Sequence, residues 1–284
     1  MKLDIFVGPP GSGKSTRAKT LKSTYINQDS QGREHLTRFS EALLRKEDIV
    51  VDRMGFDRAQ RLRYIEPAKA LGYDINITVF VVPRRVCMER VLARKDHETI
   101  KDPIAANQAI NLFFAKYEKP TEAEGKVLFE IYNAGERTPA IICDLDGTLC
   151  NIDHRLHFVR NIDGQKKNWP AFFRAIPHDS VNEWCADILR KFSGDHEIIF
   201  CSGRDETCRA SSEKWLKDNN LWFGHLFMRS AGDHRQDSIA KEIILDFDIL
   251  PQFDPKFMLD DRQQVVDMWR KRGFVCLQCA KGDF

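Results

Sequence analysis

The stretch Gly8-Pro9-Pro10-Gly11-Ser12-Gly13-Lys14-Ser15-Thr16 directly follows the apolar run Leu3–Gly8. A G-x-x-x-x-G-K-S loop works only where a strand ends and a helix begins. Its glycines let the backbone curl until amide N–H groups and a helix N-terminus face the phosphates of a nucleotide. The chain therefore opens as strand, loop and helix, the first unit of a parallel α/β sheet. Lys14 is placed to meet the β- and γ-phosphates, and the Ser15 hydroxyl to ligate magnesium.

The alternation of strand and helix continues to the end. Strand-like runs are Leu3–Gly8, Thr24–Asn27, Ile49–Asp52, Ile75–Val82, Ala140–Asp144, Glu197–Ser202, Phe257–Asp260 and Phe274–Leu277, with helical spacing over Asp57–Leu71, Val181–Phe192 and Ser238–Ile249. The polar segment Asn133–Pro139, with Gly and Pro, precedes a new strand and reads as a linker. Two α/β domains are expected, 1–136 and 137–284, each a largely parallel sheet flanked by helices. The first carries 23 Lys+Arg against 19 Asp+Glu, the second 21 against 23, so only the first has a positive excess for a polyanion. Eight cysteines could form disulfides, but no apolar leader or membrane-length segment is present, and several thiols sit at apolar strand ends. A cytoplasmic protein with reduced thiols and no membrane partner is expected. The pair Cys276/Cys279 reads as strand packing rather than a zinc site.

Three further features of the first half leave alternatives open. Asp29, after the strand Thr24–Asn27, can take the proton of an attacking hydroxyl or can cap a helix. Asp52, at a strand end, can support magnesium or the acceptor, or can sit in a turn. Arg90 and Arg94, four apart on one helix face, can close as a lid on the transferring phosphoryl group or remain a solvated surface.

The second half turns on Cys143-Asp144-Leu145-Asp146-Gly147-Thr148 at the end of an apolar strand. Asp144 is placed to attack phosphorus, and Asp146 to protonate the leaving oxygen and then activate water. Thr148 offers a hydroxyl to a phosphoryl oxygen. This motif resembles the first motif of the haloacid dehalogenase phosphatase superfamily, and the rest of that family's pattern follows in order. A strand ends in Ser202-Gly203-Arg204, Lys241 sits on a helical stretch, and another strand ends in Asp260-Asp261. The resemblance implies magnesium held by Asp144, Asp146, Asp260 and Asp261. A cation there offsets crowded like charges that would otherwise repel an anionic ester.

A donor loop followed by an acceptor aspartate is the layout of the phage-type polynucleotide 5′-kinase/3′-phosphatase family, which the chain resembles over nearly its whole length. The stretch Leu259–Arg270 and the ending Gly282-Asp283-Phe284 are especially similar. The resemblance implies ATP-dependent, magnesium-dependent phosphorylation of 5′-hydroxyl ends of RNA or DNA. It also implies removal of 3′-phosphates through an aspartyl-phosphate, preparing mostly single strands for a ligase. It assigns Asp29 as general base, Asp52 as a second kinase-site aspartate, Arg94 as lid arginine, and Arg155, Arg204 and Asp237 as phosphatase-site residues. Gly32 stands where the family carries an acceptor-binding arginine, so the neighbouring Arg33 is expected in that role. Self-association, functional coupling to a nucleic-acid ligase, and residence in the cytoplasm of an infected host, if phage-encoded, follow from the same resemblance. A metabolite kinase fused to a phosphatase, or an ATP-gated adaptor, are the competing readings. His154, His157 and His178 are expected on the surface. Trp169, Trp184, Trp215, Trp222 and Trp269 could include a stacking platform, but most tryptophans at helical spacing belong to the core.

Overall fold

The computed structural model describes residues 1–93, 102–133, 135–160 and 166–282. The chain divides into two compact units, Met1–Asn133 and Ala134–Phe284. Each is a parallel α/β sheet flanked by helices, as the strand and helix alternation implied. Among the described residues no helix is long and apolar enough to cross a membrane.

In the first unit β1 (Lys2–Val7), α1 (Lys14–Ala18), β2 (Thr24–Asn27), α2 (Gln28–Gln31), α3 (His35–Leu44), β3 (Ile49–Asp52), α4 (Arg58–Ala70), β4 (Asp74–Val81), α5 (Arg84–Leu92), α6 (Pro103–Lys116) and β5 (Lys126–Ile131) follow in order. The strands pair in parallel as β2-β3-β1-β4-β5. Central strands are buried on both faces, so they read as continuous apolar runs such as Ile49-Val50-Val51. Helices show one apolar stripe. In α3 the buried positions are His35, Phe39, Ala42 and Leu43, spaced by four, three and one. Strand β5 went unread in the sequence because it lies at the sheet edge. Five of its six residues are exposed, and Glu130 breaks its apolar run.

In the second unit the order is β6 (Thr138–Cys143), β7 (Cys150–Asn151), α7 (Trp169–Arg174), β8 (Ser180–Val181), α8 (Glu183–Phe192), β9 (Glu197–Asp205), α9 (Arg209–Asp218), β10 (His225–Arg229), α10 (Asp237–Ile244), β11 (Phe253–Asp260), α11 (Gln263–Lys271) and β12 (Cys276–Gln278). The main sheet runs β10-β9-β6-β11-β12, all parallel, with a small antiparallel β7–β8 ribbon beside it. The two faces of the main sheet carry separate apolar cores. One holds Ile141, Phe200 and Leu259, and the other holds Ile142, Ile199 and Met258, as alternation along each strand requires. The helix expected over Ser238–Ile249 is α10 followed by a π-helical turn, Leu245–Ile249. The tryptophans do not all enter the core. Trp215 and Trp269 are buried, whereas Trp169 and Trp184 are exposed. Cys276 is buried and Cys279 half-buried, consistent with strand packing.

One buried ion pair braces the first site. Arg61 and Glu124 are each 1% exposed and meet in two bonds of 2.7 and 3.0 Å. Arg61 also donates to the Gly55 and Glu118 carbonyls. The loop so held accepts, at Met54 O, a hydrogen bond from Gly8 N at the start of the phosphate loop. Removing one partner of a buried pair costs about 3–5 kcal/mol, because the remaining charge is stranded. Glu124→Ala is therefore expected to lower the denaturant midpoint of the first unit. All five tryptophans lie at or beyond position 169. Far-UV circular dichroism should accordingly gain an early transition while the tryptophan fluorescence transition stays in place. Coincident shifts of both signals would contradict this account.

Candidate active sites

In parallel α/β sheets, ligand sites form outside the carboxyl ends of the strands, where neighbouring connections run to opposite faces. Both units place their reactive residues there.

In the first unit β1 delivers the phosphate loop. Lys14 Nζ donates to the Gly8 carbonyl (2.7 Å), the Pro9 carbonyl (2.8 Å) and Ser12 Oγ (3.2 Å), so the loop holds its own lysine in place. Gly11 has φ of +83°, and a Cβ there would collide with the Cys87 carbonyl of α5. That close approach brings Arg90 to the loop, where it donates to the Gly11 carbonyl at 3.4 Å and lies 5.4 Å from the Tyr132 ring. Arg94 lies outside the described residues.

Asp52 is buried at the end of β3 and accepts from Tyr25 Oη (2.7 Å) and Asn27 Nδ2 (3.1 Å). Burial, and then the bond to Asp52, raise the Tyr25 hydroxyl well above its ordinary value, while a hydrogen bond with Ser15 opposes the shift. Neither Tyr25 nor Asn27 was singled out in the sequence; a polar residue closing a strand was the only signal. Asn27 Oδ1 accepts from Ser30 N at 2.9 Å, so it is the cap of α2. Asp29 is therefore not the cap, and its carboxylate is exposed in the first turn. Arg33 is exposed on the adjoining 3-10 turn Gly32–Glu34, and Thr16 is exposed on α1.

In the second unit the three central strands converge. Asp144 follows β6, Ser202 lies in β9, and Asp260 ends β11. Lys241, fully buried on α10, sits 2.9 Å from Asp144 Oδ1, 2.9 Å from Asp260 Oδ2 and 3.5 Å from Asp237 Oδ2. Trp269 Nε1 donates to Asp260 Oδ2 at 3.2 Å, and Thr148 Oγ1 to Asp261 Oδ1 at 3.4 Å. Gly147, at φ of +86°, leaves room for the Asp261 carboxylate, which a Cβ there would strike.

Asp144, Asp260 and Asp261 bring oxygens within 4.8 Å of one another. Burial, then Asp260 and Asp261, push Asp144 well above the usual carboxylate range, against the opposing pull of Lys241. Burial, then Asp260, raise Asp261 to about 7. One lysine thus faces a buried excess of negative charge, an arrangement that fits a divalent cation. Asp237 has a different fate. Burial would raise it, but Lys241, Arg262 and Arg229 hold it below its ordinary value.

The expected metal ligand Asp146 is placed elsewhere. Its carboxylate meets Arg155 at 2.6 Å and the Arg204 guanidinium, rather than the other three aspartates. Burial opposes ionisation, yet Arg204 and then Arg155 hold Asp146 well below the usual range. Behind both guanidiniums lies Asp179, 2.6 Å from Arg155 and 3.1 Å from Arg204. Asp179 escaped the sequence reading because its segment lacks a strand-end signal; Arg155 rides on a 3-10 turn, Asp153–Phe158. His154, His157 and His178 are exposed as expected. Asp144, Asp146, Ser202, Arg204 and Asp237 line one cleft of about 810 Å³.

Comparisons with known proteins divide along the same line. Residues 138–284 match the family described as polynucleotide kinase PNKP phosphatase domain, and residues 22–120 match an AAA domain. A "Putative bifunctional polynucleotide kinase/RNA ligase" of Autographa californica nuclear polyhedrosis virus is 24% identical over 306 residues, covering 95% of this chain and 41% of that protein. "Transcription factor bHLH140" of Arabidopsis thaliana is 28% identical over 137 residues, covering 43% of this chain and 15% of that protein. The chain thus spans well under half the length of these curated relatives. A solved structure described as "Structure of Pnkp1/Rnl/Hen1 complex" is 25% identical with a TM-score of 0.44, covering 100% of this chain and 97% of that one.

The carboxylate cluster carries a pH signature. Asp261 holds its proton to about pH 7 in the folded protein but releases it near 3.8 when unfolded. Between those values the folded state binds more protons, so stability falls as pH rises, by up to about 1.4 kcal/mol per pH unit. Below that window the group contributes no slope, and above it the loss is complete. Denaturant titrations of metal-free protein at pH 4, 5, 6 and 7 are expected to show a steeper decline for wild type than for Asp261→Asn. Parallel curves would contradict the assignment.

Proposed function

Because the chain belongs, over residues 138–284, to the polynucleotide kinase PNKP phosphatase domain family, we propose that it heals nucleic-acid ends at two active sites. One site phosphorylates 5′-hydroxyls from ATP, and the other removes 3′-phosphates. The observation that carries this reading is the convergence of Asp144, Lys241, Asp260 and Asp261 at the carboxyl ends of the central strands. The phosphate loop on β1 supports the first activity.

In the phosphatase site Asp144 Oδ attacks phosphorus while the bond to the 3′-oxygen breaks. Asp146 gives that oxygen its proton, then takes one from the water that cleaves the aspartyl-phosphate. Held by two guanidiniums, Asp146 is ionised and has no proton to give before substrate arrives. An entering phosphate offers Arg155 and Arg204 a second anion, which loosens their grip and raises the proton affinity of Asp146. Asp179 keeps both arginines in place during that exchange. Lys241 neutralises Asp144 and the developing charge on the phosphoryl oxygens, and Ser202 and Thr148 offer hydroxyls to them. Asp144, Asp260 and Asp261 would hold magnesium, which supplies further charge neutralisation when bound.

In the kinase site a nucleotide phosphate replaces the loop carbonyls as the partner of Lys14, with Ser15 on its magnesium and Arg90 beside the loop. Asp29, free of capping duty, is exposed to accept the proton of an incoming 5′-hydroxyl, with Asp52 and Arg33 assigned to the acceptor side by resemblance. Arg94 is assigned to the lid by resemblance alone. The acceptors are RNA or DNA strands held mainly through their phosphates, so binding should weaken with salt. A 5′-phosphate and a 3′-hydroxyl are the ends a ligase joins. The viral relative, whose name pairs a polynucleotide kinase with an RNA ligase, supports coupling of this chain to such an enzyme.

The test uses one single-stranded oligonucleotide with a 5′-hydroxyl and a 3′-phosphate, incubated with ATP and magnesium and read by mass spectrometry. Wild type is expected to convert both ends. Lys14→Ala should slow 5′-phosphorylation at least about 10²-fold and leave 3′-dephosphorylation intact, and Asp144→Ala should do the reverse. Turnover of ATP with both ends unchanged would sink the end-healing reading.

A further inference from the structure

The cleft above Asp144 is larger than its chemistry requires. At about 810 Å³ it approaches the upper range of small-molecule sites, whereas a phosphoryl group alone fills a small part of such a space. Its floor is Asp144, Asp146 and Arg204, and Arg229, Arg235 and Arg262 line it further out. Lys167, Trp169 and Phe173 also line it. Trp169 is 37% exposed, although large aromatic side chains are ordinarily mostly covered. Its ring stacks on Phe173 at 5.7 Å between centroids and 26° between planes, so the pair offers a flat face.

This ledge is rooted in the reactive centre. Trp169 meets the buried ring of Phe172 edge-on at 5.6 Å, and the Arg155 guanidinium lies over Phe172 at 4.1 Å. Asn168 fixes the start of α7 by accepting from Ala171 N at 3.1 Å. Lys167 Nζ lies over the Trp169 ring, 5.6 Å from its centre, a cation that an incoming strand phosphate can draw aside. An aromatic face, a cation over it and a phosphate site at the cleft floor match the sequence of groups in a nucleotide.

We propose that Trp169 and Phe173 form a stacking ledge for the nucleobase of the 3′-terminal nucleotide, with Lys167 meeting the next phosphate of the strand. The proposal rests on the 3′-phosphatase reading above and adds how that end is recognised. Every base has a π-face, so the ledge grips any terminal base without reading its identity. A terminal base must leave its duplex partner to lie on the ledge, which makes single-stranded or frayed ends the substrates.

The experiment compares two oligonucleotide 3′-phosphates that differ only in the last nucleotide, one bearing a base and one abasic. Wild type is expected to favour the base-bearing end about tenfold in kcat/KM, expressed in KM, the size of one base–aromatic stack. Trp169→Ala should bring that ratio close to one, and Trp169→Phe should restore most of it. The ratio is taken within one protein, so partial misfolding does not alter it. Equal loss on both ends in Trp169→Ala, or equal hydrolysis of both ends by wild type, would overturn the ledge while leaving the phosphatase reading intact. Hydrolysis of neither end by wild type would overturn the phosphatase reading and the ledge with it.

Discussion

The second unit depends on a single buried cation. Lys241 lies between Asp144, Asp260 and Asp237, residues delivered by β6, β11 and α10. Burying three carboxylates costs several kcal/mol each unless a counter-charge is close. With Lys241 in place, the strand ends can converge tightly enough to act on one phosphorus atom. Without it, mutual repulsion would push them apart or protonate them. Burial of the lysine would favour its neutral form, but the surrounding carboxylates, Asp144 first, hold it charged well above its ordinary range. The aspartates therefore keep the lysine charged, while the lysine offsets only part of the burial and repulsion that raise Asp144.

Beside this cluster lies a second one of reversed balance, two guanidiniums between Asp146 and Asp179. Asp144 and Asp146 of the Asp144-Leu145-Asp146 motif lie past the end of β6, where the chain turns and sends their side chains to different clusters. One enters the carboxylate-rich cluster and has its proton affinity raised; the other enters the arginine-rich cluster and has it lowered. Separated environments for these two carboxylates suit the pair to the distinct roles proposed for them, one in attack and one in proton transfer.

The strand-end motifs were legible because parallel sheets put chemistry at carboxyl ends, and apolar runs mark those ends plainly. Asp144, Ser202, Asp260 and the phosphate loop were all found that way. What sequence spacing could not supply was contact between distant segments. Asp179 lies 24 residues from the arginine it binds, and Tyr25 is 27 residues from Asp52. Edge strands such as β5 were missed for a related reason. Exposure on both faces removes the apolar signature, so only pairing with β4 reveals them. Helical spacing could not say which tryptophans leave the core: Trp215 and Trp269 are buried, whereas Trp169 takes its position from the short helix α7 beside the cleft.

The two lysines to which the proposed function gives a phosphate are held differently, and the difference suits what each would have to do. Among the described residues Lys14 donates to two loop carbonyls and a hydroxyl, neutral groups that a nucleotide phosphate outcompetes. Its site can therefore stay open, bind a charged donor and let the product go. Lys241 is held by carboxylates that a phosphate monoester cannot displace. It stays in place through the reaction while the substrate comes to Asp144. A donor site needs exchange, and an acceptor site needs a fixed nucleophile in dry surroundings. One fold plan serves both needs because the strand ends set where the groups stand, and the neighbouring helices set which charges surround them.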